Sequence, residues 1–227
     1  MQPGRKPILC YVTDRRALEA ASSPSSSLPS DPNPLRTHLL HDSIRRAAAA
    51  GAGWIQIREK DLETRALVDL ARFAVAETRA TAVRVFVNDR LDAALSANAG
   101  GVHLGEKSLP VEAVTEWRRS TGRLDFLIGV SSHSLESARK AERSGADYIF
   151  FGPVFETPSK SAFGAPQGIE RLREVCASVE IPVLAIGGVN LENARECTAA
   201  GAAGIAAIRL FQDAADPAEL ASHLKSL

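Results

Sequence analysis

The stretch "DFLIGVSSHSLESARKAERSGADYIFF" (125–151) contains two kinds of hydrophobic pattern in alternation. Apolar residues run almost continuously through 125–130 and 147–151, as they do in strands buried on both faces of a parallel sheet. The segment 134–144 between them has the period of an amphipathic helix, with a serine placed to cap its start and a glycine just after its end. This stretch therefore predicts a strand, a helix and a second strand in succession.

The same unit recurs along the chain. Further apolar runs occupy 7–13, 54–58, 83–88, 101–104, 182–187 and 204–208, and helical periodicity recurs at 63–79, 168–178 and 191–200. Strands that alternate with helices are typical of the α/β class. Eight such units predict a single (β/α)8 TIM barrel with eight parallel strands. An open, doubly wound sheet is the alternative, but eight regular units suit closure better.

The length of the chain agrees with one barrel. A TIM barrel typically takes about 250 residues, so the 227 residues predict one domain over 1–227. The segment "ASSPSSSLPSDPNP" (21–34) is rich in Ser and Pro and cannot bury an apolar face. We expect it to be a mobile loop between the first strand and the first helix, either a lid or a tolerated insertion.

Composition and charge exclude several classes of function. Lys+Arg and Asp+Glu are equal at 27 each, so the chain has no global basic field for nucleic acid or for a membrane surface. The three cysteines are isolated in sequence, which indicates a reducing compartment rather than a disulfide or zinc framework. The apolar run at 7–13 is too short for a secretory signal or a transmembrane helix. A cytoplasmic location is therefore expected.

Polar residues cluster where the predicted strands end. In a TIM barrel the active site lies at the carboxyl ends of the strands. These ends carry Gln56, Arg58, Lys60, Asn88, Asp89, His103, Ser108, Ser131, His133, Thr157, Ser159, Lys160, Gly187, Gly188 and Arg209. Cations that converge with hydroxyls and amides favour a phosphorylated ligand. A single carboxylate can hold Mg²⁺ when substrate phosphates supply the other ligands.

Each of these residues also has a simpler interpretation. Arg58 and Lys60 could form a solvated junction, and Asn88 and Asp89 could cap the next helix. His103 is expected to pack or hydrogen-bond at the rim of the barrel rather than to catalyse. The two glycines could form only a tight turn. Chance, however, explains poorly why so many such residues fall at one barrel mouth.

Taken together, the motifs resemble the thiamine phosphate synthase/TenI superfamily. They are "YVTD", "WIQIREKD", "FVNDR", "GVHLG", "IGVSSH", "GADYIFFGPVFETPSK", "GIERL" and "IPVLAIGGV", and they occur in the order and at the spacing of that superfamily. The resemblance extends from about residue 8 to the end of the chain, apart from 21–34. It implies a (β/α)8 barrel that acts in thiamine biosynthesis.

In the synthase, hydroxymethylpyrimidine diphosphate and thiazole phosphate combine to give thiamine phosphate and diphosphate. Diphosphate leaves to form a pyrimidinyl cation, which the thiazole nitrogen captures, and Mg²⁺ is the cofactor. The resemblance implies that Gln56, Arg58, Lys60, Asn88 and Lys160 hold the diphosphate, that Asp89 binds Mg²⁺, that Ser131 lies near the reacting groups, and that Thr157, Ser159 and Gly188 face the thiazole phosphate. Lys160, Ser131 and His133 are the candidate catalytic residues.

Two positions depart from the synthase pattern. Ser108 stands where the family has an aspartate as a second Mg²⁺ ligand, so it could reach the metal only weakly or through water. Arg209 stands where the family usually has serine beside the thiazole phosphate, and it either strengthens phosphate binding or fills part of the pocket.

Ser108 is common in the TenI-like relatives, which tautomerise a thiazole carboxylate phosphate and need no Mg²⁺. For that reaction His133 is suited as the acid/base group. A non-catalytic, regulatory binder of thiazole or thiamine phosphate is a third option. Retention of the whole diphosphate set favours the synthase. The expected partners are small phosphorylated pyrimidine and thiazole substrates, with homo-oligomerisation as a further option.

Overall fold

Eight strands close into a parallel barrel. The computed structural model describes residues 6–22, 34–105, 107–157 and 165–226. Its strands follow each other around the barrel in chain order. The first strand also pairs with the last, with Ile8 opposite Gly204, so no edge is left open. The predicted TIM barrel is confirmed, and the open sheet is excluded.

The strands are β1 Ile8–Val12, β2 Trp54–Ile57, β3 Arg84–Asn88, β4 Gly101–Leu104, β5 Leu127–Ser132, β6 Tyr148–Phe151, β7 Val183–Ile186 and β8 Gly204–Ala207. The helices of the described residues are α1 Arg15–Ser22, α2 Pro34–Ala49, α3 Thr64–Thr78, α4 Leu91–Ser96, α5 Val111–Thr121, α6 Leu135–Arg143, α7 Gly168–Ser178, α8 Ala194–Ala199, α9 Arg209–Gln212 and α10 Pro217–Lys225. None of these described helices combines the length and hydropathy needed to cross a membrane.

The unit around α6 forms as its sequence predicts. Ser134 caps the helix by accepting a hydrogen bond from the backbone N–H of Ser137, whose hydroxyl in turn accepts from the backbone N–H of Ser134. Gly145 follows the helix with a φ of 95°, a conformation that glycine adopts at little cost. Local sequence therefore determines both ends of this helix.

The fifth strand is shifted toward its carboxyl end relative to the prediction of 125–130. Phe126 lies before the strand, where its backbone N–H donates to the carbonyl oxygen of Arg123 in a turn and its ring packs edge-on against Trp117. The strand continues through Ser131 and Ser132, which pair with Phe150 and Phe151 of β6. Two serines thus extend a strand that apolar periodicity alone places too early.

The prediction that 21–34 is a loop between the first strand and the first helix is wrong at its start. A short helix, α1, precedes the segment and includes residues 21 and 22. Asp14 accepts a hydrogen bond from the backbone N–H of Ala17, and Glu59 accepts one from that of Arg15. These acceptors satisfy the first turn of a helix that is too short to be stable alone. Residue 34 begins α2, and residues 23–33 of the predicted 21–34 loop lie outside the described residues.

The core has two layers. Inside the barrel, the buried cluster includes Phe86, Tyr148, Phe150 and Leu184. A larger layer lies between the sheet and the helices and includes Ile44 of α2. Because the interior is filled by bulky side chains, the barrel is a packed core rather than a pore.

Candidate active site

A cavity of about 1720 Å³ opens at the carboxyl ends of the strands. Most of the residues predicted for the site line it, namely Gln56, Arg58, Lys60, Asn88, Asp89, Ser108, Ser131, His133, Thr157, Gly188 and Arg209. Ser159 and Lys160 lie outside the described residues. The fold therefore brings the described members of the predicted set to one mouth, as the parallel strand order requires.

Among the described residues, four cationic ones line the cavity. Arg58 and Lys60 follow β2, Lys107 follows β4, and Arg209 begins α9. Within the described part of the chain, none of the four forms an ion pair. Arg58 is held through its backbone, whose N–H donates to Oγ1 of the buried Thr13 at 2.9 Å. Cations in a concave site attract phosphate groups. Lys60 is exposed, which also agrees with the simpler interpretation as a solvated junction.

Gln56, Asn88 and Asp89 form a directed hydrogen-bonded chain. The carboxylate of Asp89 only accepts, so Nδ2 of Asn88 donates to its Oδ2 at 2.6 Å. Oδ1 of Asn88 then faces Gln56, whose Nε2 donates to it at 2.8 Å. This leaves Oε1 of the buried Gln56 without a partner among the described residues. These hydrogen bonds therefore leave one buried, unsatisfied acceptor on a residue that lines the cavity.

The loop after β4 also contacts Asp89. Oδ1 of Asp89 accepts hydrogen bonds from the hydroxyl of Ser108 and from the backbone N–H of Gly105, the latter at 3.0 Å. Asp89 adopts a φ of 61°, and α4 begins at Leu91 with no side-chain cap from Asn88 or Asp89. The capping interpretation of these two residues is wrong, because their side chains are committed to the cavity.

The residues around Asp89 fit a magnesium site with one carboxylate. A carboxylate offers roughly four lone-pair positions, and three on Asp89 already accept hydrogen bonds, so one on Oδ2 is left for a cation. Mg²⁺ usually takes one or two carboxylates and completes its octahedron with water and substrate phosphates. Among the described residues, no cluster of three or more His, Cys, Asp or Glu is placed to hold a metal. There is thus no cage of carboxylates in the described part of the chain, and a cation at Asp89 would take most of its ligands from water or from a bound phosphate.

Two glycines shape the opposite side of the mouth. Gly187 and Gly188 follow β7 with φ values of 94° and 68°. A Cβ on Gly188 would lie 2.4 Å from the carbonyl oxygen of Glu156, and one on Gly187 would lie 2.6 Å from Cα of Pro153. Nδ2 of Asn193 holds the turn by donating to the carbonyl oxygen of Gly188 at 3.0 Å. Only glycine fits here, and its bare backbone can approach a phosphate closely.

His133 and His103 occupy different environments. His133 lies at the cavity wall, and its Nδ1 contacts the carbonyl oxygen of Gly152, so Nδ1 carries a hydrogen. His103 is buried inside β4, with Nε2 at 2.9 Å from Oγ of Ser131 and Nδ1 at 3.2 Å from the hydroxyl of Tyr148. His103 packs and hydrogen-bonds as expected, but it does so inside the barrel rather than at its rim.

Comparison with known proteins identifies the family. A model of the thiamine monophosphate synthase family matches residues 30–211. The chain belongs to this family. It is 43% identical to the thiamine-phosphate synthase of Methanocella arvoryzae over 83% of this chain and 88% of that one. It is also 42% identical to the thiamine-phosphate synthase of Moorella thermoacetica over 81% and 86%.

A solved structure supports the same assignment. Thiamine phosphate pyrophosphorylase from Pyrococcus furiosus superposes with a TM-score of 0.77 and 36% identity, covering 98% of this chain and 96% of that chain. A 3-hexulose-6-phosphate synthase superposes at 0.61 with only 17% identity, which shows the barrel fold alone. The family is therefore established over nearly the whole chain, whereas the barrel is shared more widely.

Sequence reasoning missed one buried residue of this synthase-family site. Glu59 lies between Arg58 and Lys60, is 5% exposed, and accepts hydrogen bonds at 3.2 Å from the backbone N–H of Arg15. Burial raises its pKa to about 7, although the hydrogen bonds from Thr13 and Arg15 oppose the shift. Its interior position could have been suspected only from its place directly after a buried strand. It ties α1 to the loop that carries both cations.

The cavity wall also includes residues that no strand-end motif predicts. Glu156 and Gln167 lie between β6 and α7, while Leu109 and Leu191 contribute apolar surface from the loops after β4 and β7. Leu109 and Leu191 are 50% and 45% exposed. These residues come from loops, whose paths the strand pattern does not determine.

Proposed function

We propose that the chain condenses hydroxymethylpyrimidine diphosphate with thiazole phosphate to give thiamine phosphate and diphosphate. The observation that carries this proposal is the placement of two phosphate-binding features at one cavity. Arg58 and Lys60, which form no ion pair within the described residues, follow β2, and the Gly187–Gly188 turn follows β7. A reaction between two phosphorylated substrates needs both features, whereas a monophosphate needs only one.

The diphosphate is assigned to the side of β2 and β3. Arg58 offers a planar fork of donors and Lys60 a point charge, and neither cation is neutralised by a described acidic residue. Asn88 contributes by ordering the side chains of Gln56 and Asp89. The acceptor on Gln56 suits an amino group on the pyrimidine better than it suits a phosphate, which has no hydrogen to donate. Lys160 is proposed to complete the set.

The thiazole phosphate is assigned to the turn after β7. The backbone at Gly188 offers close approach, and Arg209 supplies a nearby positive charge at the start of α9. Thr157 and Ser159 are proposed as hydroxyl donors to the same phosphate. This arrangement leaves the thiazole ring between the two phosphate sites, where its nitrogen can face the pyrimidine.

Asp89 is proposed to hold Mg²⁺ together with the diphosphate, with Ser108 acting on the metal only through Asp89 or through water. Bound Mg²⁺ would neutralise charge on the departing diphosphate oxygens. One carboxylate and a neutral serine make this a weaker protein site than two carboxylates would, since affinity for such cations rises with ligand charge.

The bond changes need little protein chemistry. The bond between the pyrimidine methylene carbon and the diphosphate oxygen breaks, and its electron pair leaves with the diphosphate. The thiazole nitrogen then donates its lone pair to the methylene carbon, forming the new C–N bond. No proton moves in either step, so the protein contributes mainly donors and cations that stabilise negative charge on the leaving group. Ser131, at the cavity wall, is one such donor.

The direct test is to incubate the protein with both precursors, with and without Mg²⁺, and to measure thiamine phosphate and diphosphate. We expect both products in equal amounts and only in the presence of Mg²⁺. Arg58→Ala should abolish most turnover, whereas Arg139→Ala, which removes an exposed arginine of α6, should not. Absence of both products with the unmodified protein would refute the proposal. Binding of precursors without turnover would instead support a regulatory binder.

A second activity is favoured by one observation. Because Nδ1 of His133 is committed to the carbonyl of Gly152, its Nε2 is left as a base at the cavity wall. This suits tautomerisation of a thiazole carboxylate phosphate, which requires proton transfer and no metal. His133→Asn should abolish that reaction and leave synthase turnover within a few-fold. An unchanged tautomerase rate in this variant would remove the second candidate.

A further inference from the structure

Three neighbouring strands bring a tyrosine and a histidine together inside the barrel. His103 of β4 and Tyr148 of β6 both pair in register with Gly129 of the intervening strand β5. A Cβ on Gly129 would lie only 2.0 Å from Cζ of Tyr148. The missing side chain therefore makes the space in which the Tyr148 hydroxyl reaches Nδ1 of His103, at 3.2 Å.

A second hydrogen bond extends this contact from the barrel interior to the cavity. Ser131 lies two residues after Gly129, so its side chain points to the same face of β5. Its Oγ is 2.9 Å from Nε2 of His103, and the residue lines the cavity. Tyr148, His103 and Ser131 thus form a chain of hydrogen bonds that begins among buried aromatic rings and ends at the ligand site.

The direction of this chain follows from its buried end. The rings of Trp54 and Phe86 surround Tyr148, and among the described residues its hydroxyl has one hydrogen-bond partner, Nδ1 of His103. Burial raises the pKa of Tyr148 well above its ordinary value, so the phenol keeps its proton. A buried hydroxyl hydrogen without an acceptor is costly, so it points to Nδ1. A neutral imidazole that accepts at Nδ1 carries its hydrogen on Nε2 and donates it to Ser131.

We propose that Tyr148 and His103 are positioning residues that hold Ser131 with its own hydroxyl hydrogen directed into the cavity. In this state Ser131 is a donor to an anionic oxygen. The reverse direction, in which Ser131 donates to His103, would make it an activated nucleophile with only lone pairs facing the ligand. The role of Ser131 as a donor rests on the proposed function, because the oxygen that it meets is that of the diphosphate. The predicted tautomer of His103 does not rest on the proposed function.

The first test reads the tautomer in the unmodified protein. Two-bond ¹H–¹⁵N spectra of protein labelled at its histidines distinguish Nε2–H from Nδ1–H, and the five histidines can be separated because His103→Gln removes one set of signals. We expect the neutral Nε2–H form for His103 without any ligand. A neutral Nδ1–H form would overturn the proposal, whether or not the protein makes thiamine phosphate.

The second test compares two neutral amides at the same position. In His103→Gln the amide nitrogen reaches the place of Nε2 and can still donate to Ser131, whereas in His103→Asn it reaches only the place of Nδ1. We expect kcat of the glutamine variant to exceed that of the asparagine variant by about tenfold with similar KM, since the donor acts on charge that grows in the transition state. Equal kcat values in two folded variants would contradict the proposed role.

Two further measurements separate this inference from the function on which it rests. Tyr148→Phe keeps the ring but removes the hydrogen that fixes Nδ1, so the His103 signals should shift to a mixture of tautomers. Titration with inorganic diphosphate should be weaker for His103→Asn than for His103→Gln, independently of turnover. A pure Nε2–H signal in Tyr148→Phe, or equal diphosphate affinities, would show that the pair does not direct Ser131.

Discussion

The hydroxyl of Ser108 donates a hydrogen bond to Oδ1 of Asp89. A neutral residue therefore supports, from the loop after β4, a carboxylate that follows β3. This contact explains how the site keeps Asp89 in place although the second carboxylate of the synthase pattern is missing. Of the two residues, only Asp89 carries a negative charge that could attract a cation.

We predict that Ser108→Asp raises the affinity for Mg²⁺ by roughly tenfold, because a second carboxylate increases the ligand charge. Calorimetric titration of Mg²⁺ in the presence of inorganic diphosphate measures the change without relying on turnover. Ser108→Asn is the matched control, since it has the same shape as aspartate without the charge. Mg²⁺ affinities that are the same in both variants would show that residue 108 does not reach the metal.

Glu59 predicts a pH dependence of stability. Its pKa is about 7 in the folded protein against an ordinary value of 4.5, so folding takes up a proton between these values. The free energy of unfolding should therefore decrease as the pH rises through this window, by about 3 kcal/mol, and this contribution should be constant above pH 7.

Urea unfolding at several pH values between about 4 and about 8 measures the contribution of Glu59 to stability. This range includes both of its pKa values. Glu59→Gln should lack this contribution, so its difference from the unmodified protein should change across the window. Glu63→Gln, which alters an exposed carboxylate of the same loop, should keep the original dependence. Parallel curves for the unmodified protein and Glu59→Gln would contradict the buried, protonated state.

The turn after β7 should tolerate no side chain. Gly188→Ala combines an unfavourable φ with a Cβ 2.4 Å from the carbonyl oxygen of Glu156. Gly168→Ala is the control, because its φ is 77° but a Cβ there meets nothing within 4 Å. Both variants should lose about 1–2 kcal/mol for the backbone, and Gly188→Ala about 1–3 kcal/mol more for the contact.

Substrate kinetics distinguish Gly188→Ala further from Gly168→Ala. Gly188→Ala should raise KM for thiazole phosphate by about tenfold or more, because the displaced backbone no longer approaches the phosphate. Gly168→Ala should leave that KM within about twofold. If both variants bind thiazole phosphate normally, the phosphate site is not at this turn.

Arg209 should contribute to affinity for the second substrate. Because the side chain is exposed, its charge is partly screened, and we expect Arg209→Ser to raise KM for thiazole phosphate by about fivefold. The difference in KM between Arg209→Ser and the unmodified protein should decrease at high salt. Arg195→Ser, which removes an exposed arginine from α8, should leave KM unchanged. A lower KM in Arg209→Ser would indicate that the arginine instead fills part of the pocket.

The strand pattern predicted much of this site, since parallel strands must place their carboxyl ends together. Gln56, Asn88 and Ser131 were found because each ends a buried apolar run. Glu59 was missed, because a charged residue between Arg58 and Lys60 is expected to be solvated. Its burial involves contacts with Thr13 and Arg15, which are distant in the chain. Helix α1 was also missed. Its first turn is stabilised by the carboxylate of Glu59, which lies far away in the sequence.

By itself, the sequence determined the alternation of buried strands and amphipathic helices, and the pairing of the first strand with the last decided that the sheet closes. The sequence also determined which residue types reach the mouth. The tertiary structure alone decided how these residues act on each other. Gly129 lets Tyr148 of one strand meet His103 of another, and the loop after β4 places Ser108 on Asp89. Such contacts join segments far apart in the chain, so no local pattern encodes the direction of their hydrogen bonds.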